Sequence, residues 1–204
     1  GQIPAYTFTP PTTAGFTVPV VDAAAMTQEE RTAKAKALLE EAGYGADNPI
    51  SLEVLYNTSE GHKSIAIAIS QMWKENLGIE ATINNMEWGT FLEARGAGQF
   101  EISRAGWCGD YNEASTFLDL YGSASGYNDA GYNSAEVDAL LAAAKTAEDP
   151  QPLYTQVETI AAADAPIIPI YFYTSVGARQ ATLKGWPDNN VENAWYARDL
   201  YKVE

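Results

Sequence analysis

The sequence alternates between segments with helical spacing and short apolar segments, and this alternation is its strongest constraint on the fold. The segments follow one another as helix, strand, helix, strand, helix and strand, at residues 27–42, 50–56, 62–77, 79–83, 87–97 and 100–107. Strands that alternate with helices of this length are typical of a parallel sheet with helices packed on it. We therefore predict an α/β fold with a mostly parallel sheet, whose ligands would bind beyond the carboxyl ends of the strands.

Two of the predicted helices carry boundary signals. Thr27 and Glu30 stand three residues apart before an apolar run, which is the pattern of a capping box. Gly43 and Gly78 follow the last residues with helical spacing and predict the helix ends. Apolar residues at helical spacing predict that the buried faces carry Ala35, Leu38, Leu39, Ala42, Ile65, Ile69, Met72, Trp73, Phe91 and Leu92.

The remaining segments are less regular. Residues 1–25 combine several prolines with apolar side chains, so we expect an extended lead-in that lies against the protein surface. Beyond a polar loop at 108–113, the patterns predict helical turns at 114–121, a loop at 122–133, helices beginning near Ser134 and Pro152, an apolar strand at 167–173 and a tail at 174–204.

The composition excludes several classes of protein. The 204 residues carry 12 basic and 27 acidic side chains, and the net charge of −15 disfavours binding to nucleic acid or to anionic membranes. No apolar stretch approaches the ~20 residues that span a bilayer. One cysteine and one histidine argue against disulfides and metal sites rich in these residues. The start Gly1-Gln2-Ile3-Pro4, with neither Met nor a signal peptide, indicates a mature fragment.

Standard enzyme motifs are missing from the sequence. It contains no phosphate-binding loop, no dinucleotide-binding glycine pattern after a strand and no nucleophile elbow. Cys108, His62 and Asp110 could form a thiol triad, but a single cysteine beside a tryptophan at a strand end is more often packed than reactive. Acidic pairs such as Glu29 and Glu30 lie on a predicted helix surface, where solvated charge is the simpler interpretation.

The most unusual segment is Arg104–Glu113, which places a cation, an aromatic ring and an acid at the end of a predicted strand. Glycine at 106 and 109 lets another backbone approach closely, and an open strand edge can pair with an extended peptide. A carboxylate such as Asp110 can receive an ammonium group in a charge-assisted hydrogen bond. Positive ends for a carboxylate could come from Arg104, Arg95 and His62.

This segment, R-A-G-W-C-G-D-Y-N-E, resembles a segment of the periplasmic oligopeptide-binding proteins, the family 5 solute receptors of ABC peptide importers. Other similar segments occur in the same order, and they are Leu55–Ser59 with His62-Lys63, Glu87-Trp88 with Thr90–Leu92, and Ile168–Tyr173. The resemblance extends from Pro4 to Tyr201. Members of this family are longer and have two lobes that close around a peptide.

The resemblance implies that the chain is the C-terminal portion of such a protein and forms one lobe of a type II periplasmic-binding-protein fold. Residues 1–166 would be the peptide-binding lobe, with residues 1–25 as its lead-in. Residues 167–204 would return to the other, missing lobe and would lack their usual sheet partners in this chain.

The resemblance also implies a function. The protein would be an extracytoplasmic receptor, free in the periplasm or lipid-anchored, that captures short peptides by main-chain pairing and by salt bridges to their termini. Its partners would be short peptides, the membrane permease subunits of an ABC importer and the missing N-terminal lobe, but not nucleic acid. It would not be an enzyme and would need no cofactor or metal.

Four residues of the Arg104–Glu113 segment receive roles from the resemblance. Asp110 resembles the family acid that pairs with the α-ammonium group of the peptide. The backbone of Gly106, Trp107 and Cys108 resembles the stretch that pairs with the peptide main chain, and Trp107 would also line a side-chain pocket. The sequence departs from close relatives at Gly109 and Ala114, where a small residue and a proline are common, and this difference changes the stiffness of the loop.

Five further residues receive roles in the same way. Arg104, Arg95 and His62 resemble the positive groups that meet the C-terminal carboxylate of a peptide, depending on its length. Trp88 resembles an aromatic pocket wall, and Tyr173 falls in a late aromatic strand near the cleft.

Each of these residues also has a structural alternative. Asp110 could cap the helical turn that follows it, and His62 could hold a local hydrogen bond near a helix start. The arginines could form surface ion pairs, and the tryptophans could belong to the core. A functional alternative keeps the fold but replaces the peptide with a nickel chelate, haem or an oligosaccharide.

Overall fold

The structure, a computed structural model, describes residues 1–187 and 193–204. The helices are α1 Asp22–Ala25, α2 Gln28–Glu41, α3 Glu60–Leu77, α4 Trp88–Gly96, α5 Ser115–Leu118, α6 Ala135–Ala144 and α7 Gln151–Asp164. The strands are β1 Ile3–Pro4, β2 Ser51–Asn57, β3 Glu80–Met86, β4 Ile102–Ser103, β5 Tyr171–Phe172, β6 Leu183–Lys184 and β7 Tyr201–Lys202. Residues 188–192 of the predicted tail lie outside the described residues.

The chain divides into two compact units, and its main passage from the second unit back to the first lies between Trp107 and Cys108. The first unit consists of Gly1–Val21, Cys108–Asn128 and Tyr132–Glu204. The second consists of Asp22–Trp107 together with Asp129–Gly131. The boundary expected at residue 166 concerns a lobe that is not part of this chain, and it stays a prediction.

The second unit is built on a three-stranded parallel sheet with the strand order β3-β2-β4. In the central strand, Val54 lies opposite both Ile83 of β3 and Ile102 of β4. The parallel sheet predicted from the alternation of helices and strands is therefore confirmed. Because parallel strands end at the same edge of a sheet, the residues that follow these three strands come together there.

Both faces of the central strand are covered. Val54 and Tyr56 pack against Ala66 of α3 on one face, whereas Leu55 packs against Phe91 of α4 on the other. Successive side chains of a strand point to opposite faces, so a helix on each side buries every residue at the end of β2. This packing fixes the position at which β2 ends.

The predicted start of α2 and the predicted end of α3 are confirmed, whereas α3 begins at Glu60 and not at His62. At the start of α2, the Thr27 hydroxyl accepts a hydrogen bond from the Glu30 N–H, and the Glu30 carboxylate accepts one from the Thr27 N–H at 2.7 Å. These hydrogen bonds lower the pKa of Glu30. Gly78 ends α3 in the left-handed conformation, with a φ of 70° that favours glycine.

The first unit has a core of its own, formed where α5, α6 and α7 meet. Leu118, Val137 and Val157 are fully buried in it, and Phe16 of the lead-in belongs to the same cluster. Ser134 caps α6 by accepting a hydrogen bond from the Val137 N–H, as its position before the apolar run predicted. The lead-in thus lies against the protein surface, as expected.

A buried acid holds the lead-in to this core. The Glu158 side chain, 1% exposed, accepts hydrogen bonds from the N–H of Phe8 at 2.6 Å and from the N–H and hydroxyl of Thr9 at 3.1 and 2.7 Å. Burial raises the pKa of Glu158, and these three donors oppose that shift. A segment without regular secondary structure is therefore fixed by a carboxylate that satisfies its main chain.

The predicted buried faces are wrong in part. None of the residues of α2 is buried, and Leu38 is 55% exposed. Met72 of α3 and Leu92 of α4 are also exposed. Helical spacing identifies the residues that share a face, but the neighbouring elements decide which face is covered.

Several predicted extents are also wrong. The strand expected at 100–107 is limited to β4, the strand expected at 167–173 is limited to β5, and the end of the lead-in forms α1. Pro169 carries no N–H and cannot donate to a ladder, which shortens β5 at its start. The segment 167–204 was expected to lack sheet partners in this chain, but its strands do have partners. β5 pairs with β1, and β6 pairs with β7.

We predict that Glu158→Ala lowers the free energy of unfolding by about 3 kcal/mol, because it leaves three donors buried without an acceptor. Urea denaturation at neutral pH would measure this loss. The matched control is Glu136→Ala on the exposed surface of α6, for which we expect less than about 0.5 kcal/mol. Equal losses in the two variants would show that Glu158 does not anchor the lead-in.

Candidate functional site

The carboxyl edge of the parallel sheet gathers three polar side chains. Asn57 ends β2, Arg104 follows β4, and His62 lies in the first turn of α3. The Arg104 N–H donates to the carbonyl of Leu55 at 2.7 Å, and its guanidinium donates a long hydrogen bond of 3.4 Å to the Asn57 side chain. Two of the residues predicted to meet a carboxylate, Arg104 and His62, are thus brought together here.

The electrostatics of His62 follow from this position. Partial burial and the positive charge of Arg104 lower the pKa of His62, and a hydrogen bond to the backbone of Asn57 opposes the shift. Its Nδ1 atom is buried and has no hydrogen-bond partner among the residues described. At neutral pH the imidazole is therefore mostly uncharged, and it would gain a proton more easily if an anion came close.

The start of α3 adds further donors to this edge. The helix has 18 residues, and the side chain of its N-cap residue Ser59 makes no capping hydrogen bond. The first N–H groups of a helix have no partner inside the helix, and they favour negative charge. The edge therefore combines a guanidinium, an imidazole and helix N–H groups, all of which can attract an anion.

Arg95 takes part in a different arrangement. Its Nε donates to the Asp129 carboxylate at 2.6 Å, in an ion pair whose side chains are only 17% and 25% exposed. The guanidinium lies over the ring of Phe91, 5.5 Å from its centroid, and Trp88 stacks on the same ring. The structure thus groups Arg95 with Asp129, Phe91 and Trp88.

The two tryptophans of the prediction differ in exposure. Trp88 is 50% exposed, so the core role left open by the sequence does not describe it. Trp107 is partly buried. An exposed aromatic ring backed by Phe91 is suited to contact an apolar side chain of a ligand.

Main-chain groups stand open between β4 and the loop that follows. In the described part of the chain, no backbone hydrogen bond involves Ala105, Gly106 or Cys108, and all three residues are exposed. Exposed and unpaired N–H and C=O groups next to a strand can pair with an added extended chain. The Cys108 thiol is exposed as well.

The loop at 108–113 is built into the first unit by close packing at Gly109. A Cβ atom at this position would lie 2.9 Å from Cγ2 of Thr116 and 3.1 Å from the ring of Phe117, both of which are buried. The next residue, Asp110, donates its N–H to the Thr116 hydroxyl at 2.9 Å. The backbone of Asp110 is therefore fixed by this hydrogen bond, next to a position where a side chain has little room.

The other polar side chains of the loop are used internally. Asn112 accepts a hydrogen bond from the N–H of Ala14 at 2.8 Å, and the Tyr111 and Ser115 hydroxyls are 2.9 Å apart. The Glu113 carboxylate accepts from the N–H of Ser115 at 2.8 Å and from the Ser115 hydroxyl. These contacts hold the loop against the start of α5.

The carboxylate of Asp110 differs from these neighbours. It is exposed and has no hydrogen bond or ion pair within the described residues. The helical turn at α5 receives no hydrogen bond from Asp110; the Glu113 carboxylate serves that turn instead. The capping role left open by the sequence is therefore wrong, and the acid remains available to a partner.

Tyr173 lies in the first unit, directly after β5. It is 53% exposed, and its ring contacts Tyr171 edge to face at a centroid distance of 5.0 Å. Its predicted place near a ligand stays a prediction.

Two residues of these arrangements were missed by the sequence analysis. Asn57 links Arg104 with His62, and its position as a polar residue at the end of an apolar strand was a usable signal. Asp129 pairs with Arg95 across 34 positions of sequence, and no local pattern announces such a contact.

Two features are absent from residues 1–187 and 193–204. No group of three or more His, Cys, Asp or Glu side chains is placed to hold a metal ion. No helix has the length and apolar character that a membrane span requires.

Comparison with known proteins extends these observations. The parallel sheet with helices on both faces defines an α/β protein with polar groups at the carboxyl edge of its sheet. Residues 1–129 match the family described as bacterial extracellular solute-binding proteins, family 5 middle. The chain belongs to this family, and the predicted type II periplasmic-binding-protein fold is confirmed by the solved structures that it matches.

Three relatives show the range of the similarity. The periplasmic murein peptide-binding protein MppA of Escherichia coli K12 is 45% identical over the whole chain, and its structure superimposes with a TM-score of 0.91. The Haemophilus influenzae OppA complex with RPPGFSPFR is 36% identical over the whole chain, with a TM-score of 0.88 and coverage of 41% of that protein. The probable deoxycholate-binding periplasmic protein YgiS of E. coli K12 is 40% identical over 98% of this chain.

The chain is a portion of such a protein. It spans 38% of the length of MppA and 38% of the length of YgiS, and it covers 41% of the solved MppA chain.

We predict that Gly109→Ala destabilises the protein by about 1–3 kcal/mol, because the added methyl group must displace buried side chains. Thermal or urea unfolding of the full-length protein that contains this chain would measure the loss. Gly126→Ala is the matched control, since nothing lies within 4 Å of a Cβ atom there. If both variants unfold alike, the close packing at Gly109 does not determine the position of the loop.

Proposed function

We propose that the full-length protein is the extracytoplasmic solute-binding subunit of an ABC importer and that it captures short peptides. It would act in the periplasm, free or lipid-anchored, and would deliver its ligand to membrane permease subunits. Membership of a solute-binding family supports a receptor and not an enzyme. The names of the relatives as periplasmic peptide-binding proteins support the ligand class and the location.

The observation that carries this proposal is the unpaired carboxylate of Asp110 on a loop whose backbone is fixed. The side chains of Asn112 and Glu113 already accept hydrogen bonds from the N–H groups of Ala14 and Ser115. Asp110 is held in place through its own N–H, and its side chain is exposed. A carboxylate fixed in this way is suited to a peptide ammonium group, because little ordering entropy is lost on binding.

The other end of a peptide would meet the carboxyl edge of the sheet. Arg104, His62 and the N–H groups of α3 all favour an anion there. Arg95 is a further candidate whose charge Asp129 already offsets. A terminal carboxylate would replace water around these groups with a charge-assisted contact.

Tolerance for different peptide side chains would come from the backbone and the aromatic residues of this chain. The exposed backbone of Gly106 and Cys108, with Trp107 between them, would pair with a peptide irrespective of its sequence. Trp88, Trp107 and Tyr173 would contact its side chains. Residues 167–204 would pair with the lobe that lies outside this chain.

The test compares one tripeptide with its N-acetylated form, using calorimetry on the full-length protein. We expect the free amine to bind and acetylation to abolish most of the affinity. Asp110→Asn should weaken binding of the free amine by about tenfold to hundredfold, because it removes the charge but keeps the shape. The control Asp47→Asn changes an exposed acid of the second unit and should leave affinity unaltered. Equal binding by Asp110→Asn and the wild type would reject the role of Asp110.

A second prediction concerns the protonation of His62 when a ligand binds. Burial and Arg104 lower the pKa of His62 in the free protein, and a carboxylate beside the imidazole would raise it again. Binding should therefore take up a proton, and affinity should rise as the pH falls towards the ordinary His pKa of about 6.5 and below it. Calorimetry in two buffers of different ionisation enthalpy measures this uptake.

The variant His62→Gln keeps a polar side chain that does not titrate, and it should bind without proton uptake. A peptide with a C-terminal amide should also bind without it. Unchanged uptake in the variant would assign the proton to another group.

A non-peptide ligand is the second candidate, and the name of YgiS favours it specifically. An amphipathic acid could use Arg104 and His62 without an ammonium group, so its binding should not depend on Asp110. The same comparison, with deoxycholate as a third ligand, separates the two candidates. The sequence alternatives of a nickel chelate, haem or an oligosaccharide would show the same independence of Asp110.

A further inference from the structure

Asp129 is placed to decide what Arg95 can bind. The two side chains meet at 2.6 Å, and both are largely withdrawn from solvent. Water screens such a pair less than one on the open surface, so the carboxylate offsets much of the positive charge of the guanidinium. None of the roles given above to the ligand-binding residues includes Asp129.

The position of Arg95 is determined by its own helix. It lies in the last turn of α4, four residues after Phe91, so its side chain lies over the fully buried ring of that residue. A cation over an aromatic face gains further stabilisation. The guanidinium is therefore held in place over the ring of Phe91, on which the exposed ring of Trp88 also stacks.

The position of Asp129 is determined by the turn that carries it. The Asn128 side chain donates to the carbonyl of Tyr132 at 2.7 Å and accepts from the N–H of Tyr132 at 3.0 Å. Gly131 has a φ of 64°, which permits the tight return of the chain between them. Asp129 is thus presented by a closed turn and not by a loose segment.

The pair leaves Arg95 with donors but little net charge. Only Nε is bonded to Asp129, and the guanidinium has further N–H groups that can donate. A neutral carbonyl or amide oxygen could accept from them without penalty. A ligand carboxylate at the same place would meet the nearby negative charge of Asp129.

We infer that Asp129 is a specificity-determining residue that selects against acidic ligand groups at Arg95 and leaves that arginine to neutral acceptors. This inference rests on the proposed function, because it concerns the peptide side chain or terminus that reaches Arg95. Removal of the charge at Asp129 makes Arg95 an anion-binding group.

The experiment measures affinity for six peptides with the full-length protein. Three are alanine tripeptides with one glutamate at successive positions, and three are their glutamine counterparts. Asp129→Asn should raise the ratio of glutamate to glutamine affinity about tenfold for at least one position, which corresponds to about 1.4 kcal/mol. Asp129→Glu restores a carboxylate and should return the ratio towards the wild-type value.

The matched control is Asp22→Asn, which removes the same charge from an exposed ion pair with Lys34 and should leave every ratio unchanged. Equal changes for the glutamate and glutamine peptides, or unchanged ratios at all three positions, would overturn the inference while the proposed function stands. If the wild type bound none of the six peptides and no member of a pool of di- to pentapeptides, the proposed function would fail, and the inference would fail with it.

Discussion

The parallel pairing of β2 with β3 and β4 is the constraint on which the sheet edge depends. It fixes three strand ends at one edge, and the packing of α3 and α4 on opposite faces prevents β2 from shifting in register. Asn57 and Arg104 lie close together because of this pairing, since Asn57 is the last residue of β2 and Arg104 directly follows β4. His62 joins them because only two residues separate the end of β2 from the start of α3.

The acids of the chain divide by what their carboxylates contact. Glu158 and Glu113 satisfy backbone N–H groups, and Asp129 offsets a guanidinium. These acids therefore contribute to the fold or adjust a neighbour. Asp110 differs from these acids. Its backbone is ordered by a hydrogen bond, whereas its carboxylate has no partner in the described residues. Under the proposed function, the ammonium group of a peptide would be the partner of this carboxylate.

Local patterns predicted the fold well because they depend on neighbours in sequence. The capping box at Thr27 and Glu30, the stop at Gly78 and the parallel sheet all follow from periodicity and from the conformational preferences of single residues. Contacts between distant segments carry no such signal. The anchor of the lead-in at Glu158, 149 positions from Thr9, and the exposed position of α2 depend on how separate elements pack, and they could not be read from the spacing of residues.

The same distinction explains the candidate site. The Arg104–Glu113 segment could be singled out because its chemistry is contiguous, but the sequence could not tell which of its acids was structural. The net charge of −15 attracts an ammonium group to the protein. Because salt screens charges over a length of about 8 Å, distant acids contribute little to the orientation of that group. Orientation has to come from a single carboxylate within hydrogen-bonding distance. Under the proposed function, the packing at Gly109 beside Asp110 would therefore contribute to recognition as much as the charge itself.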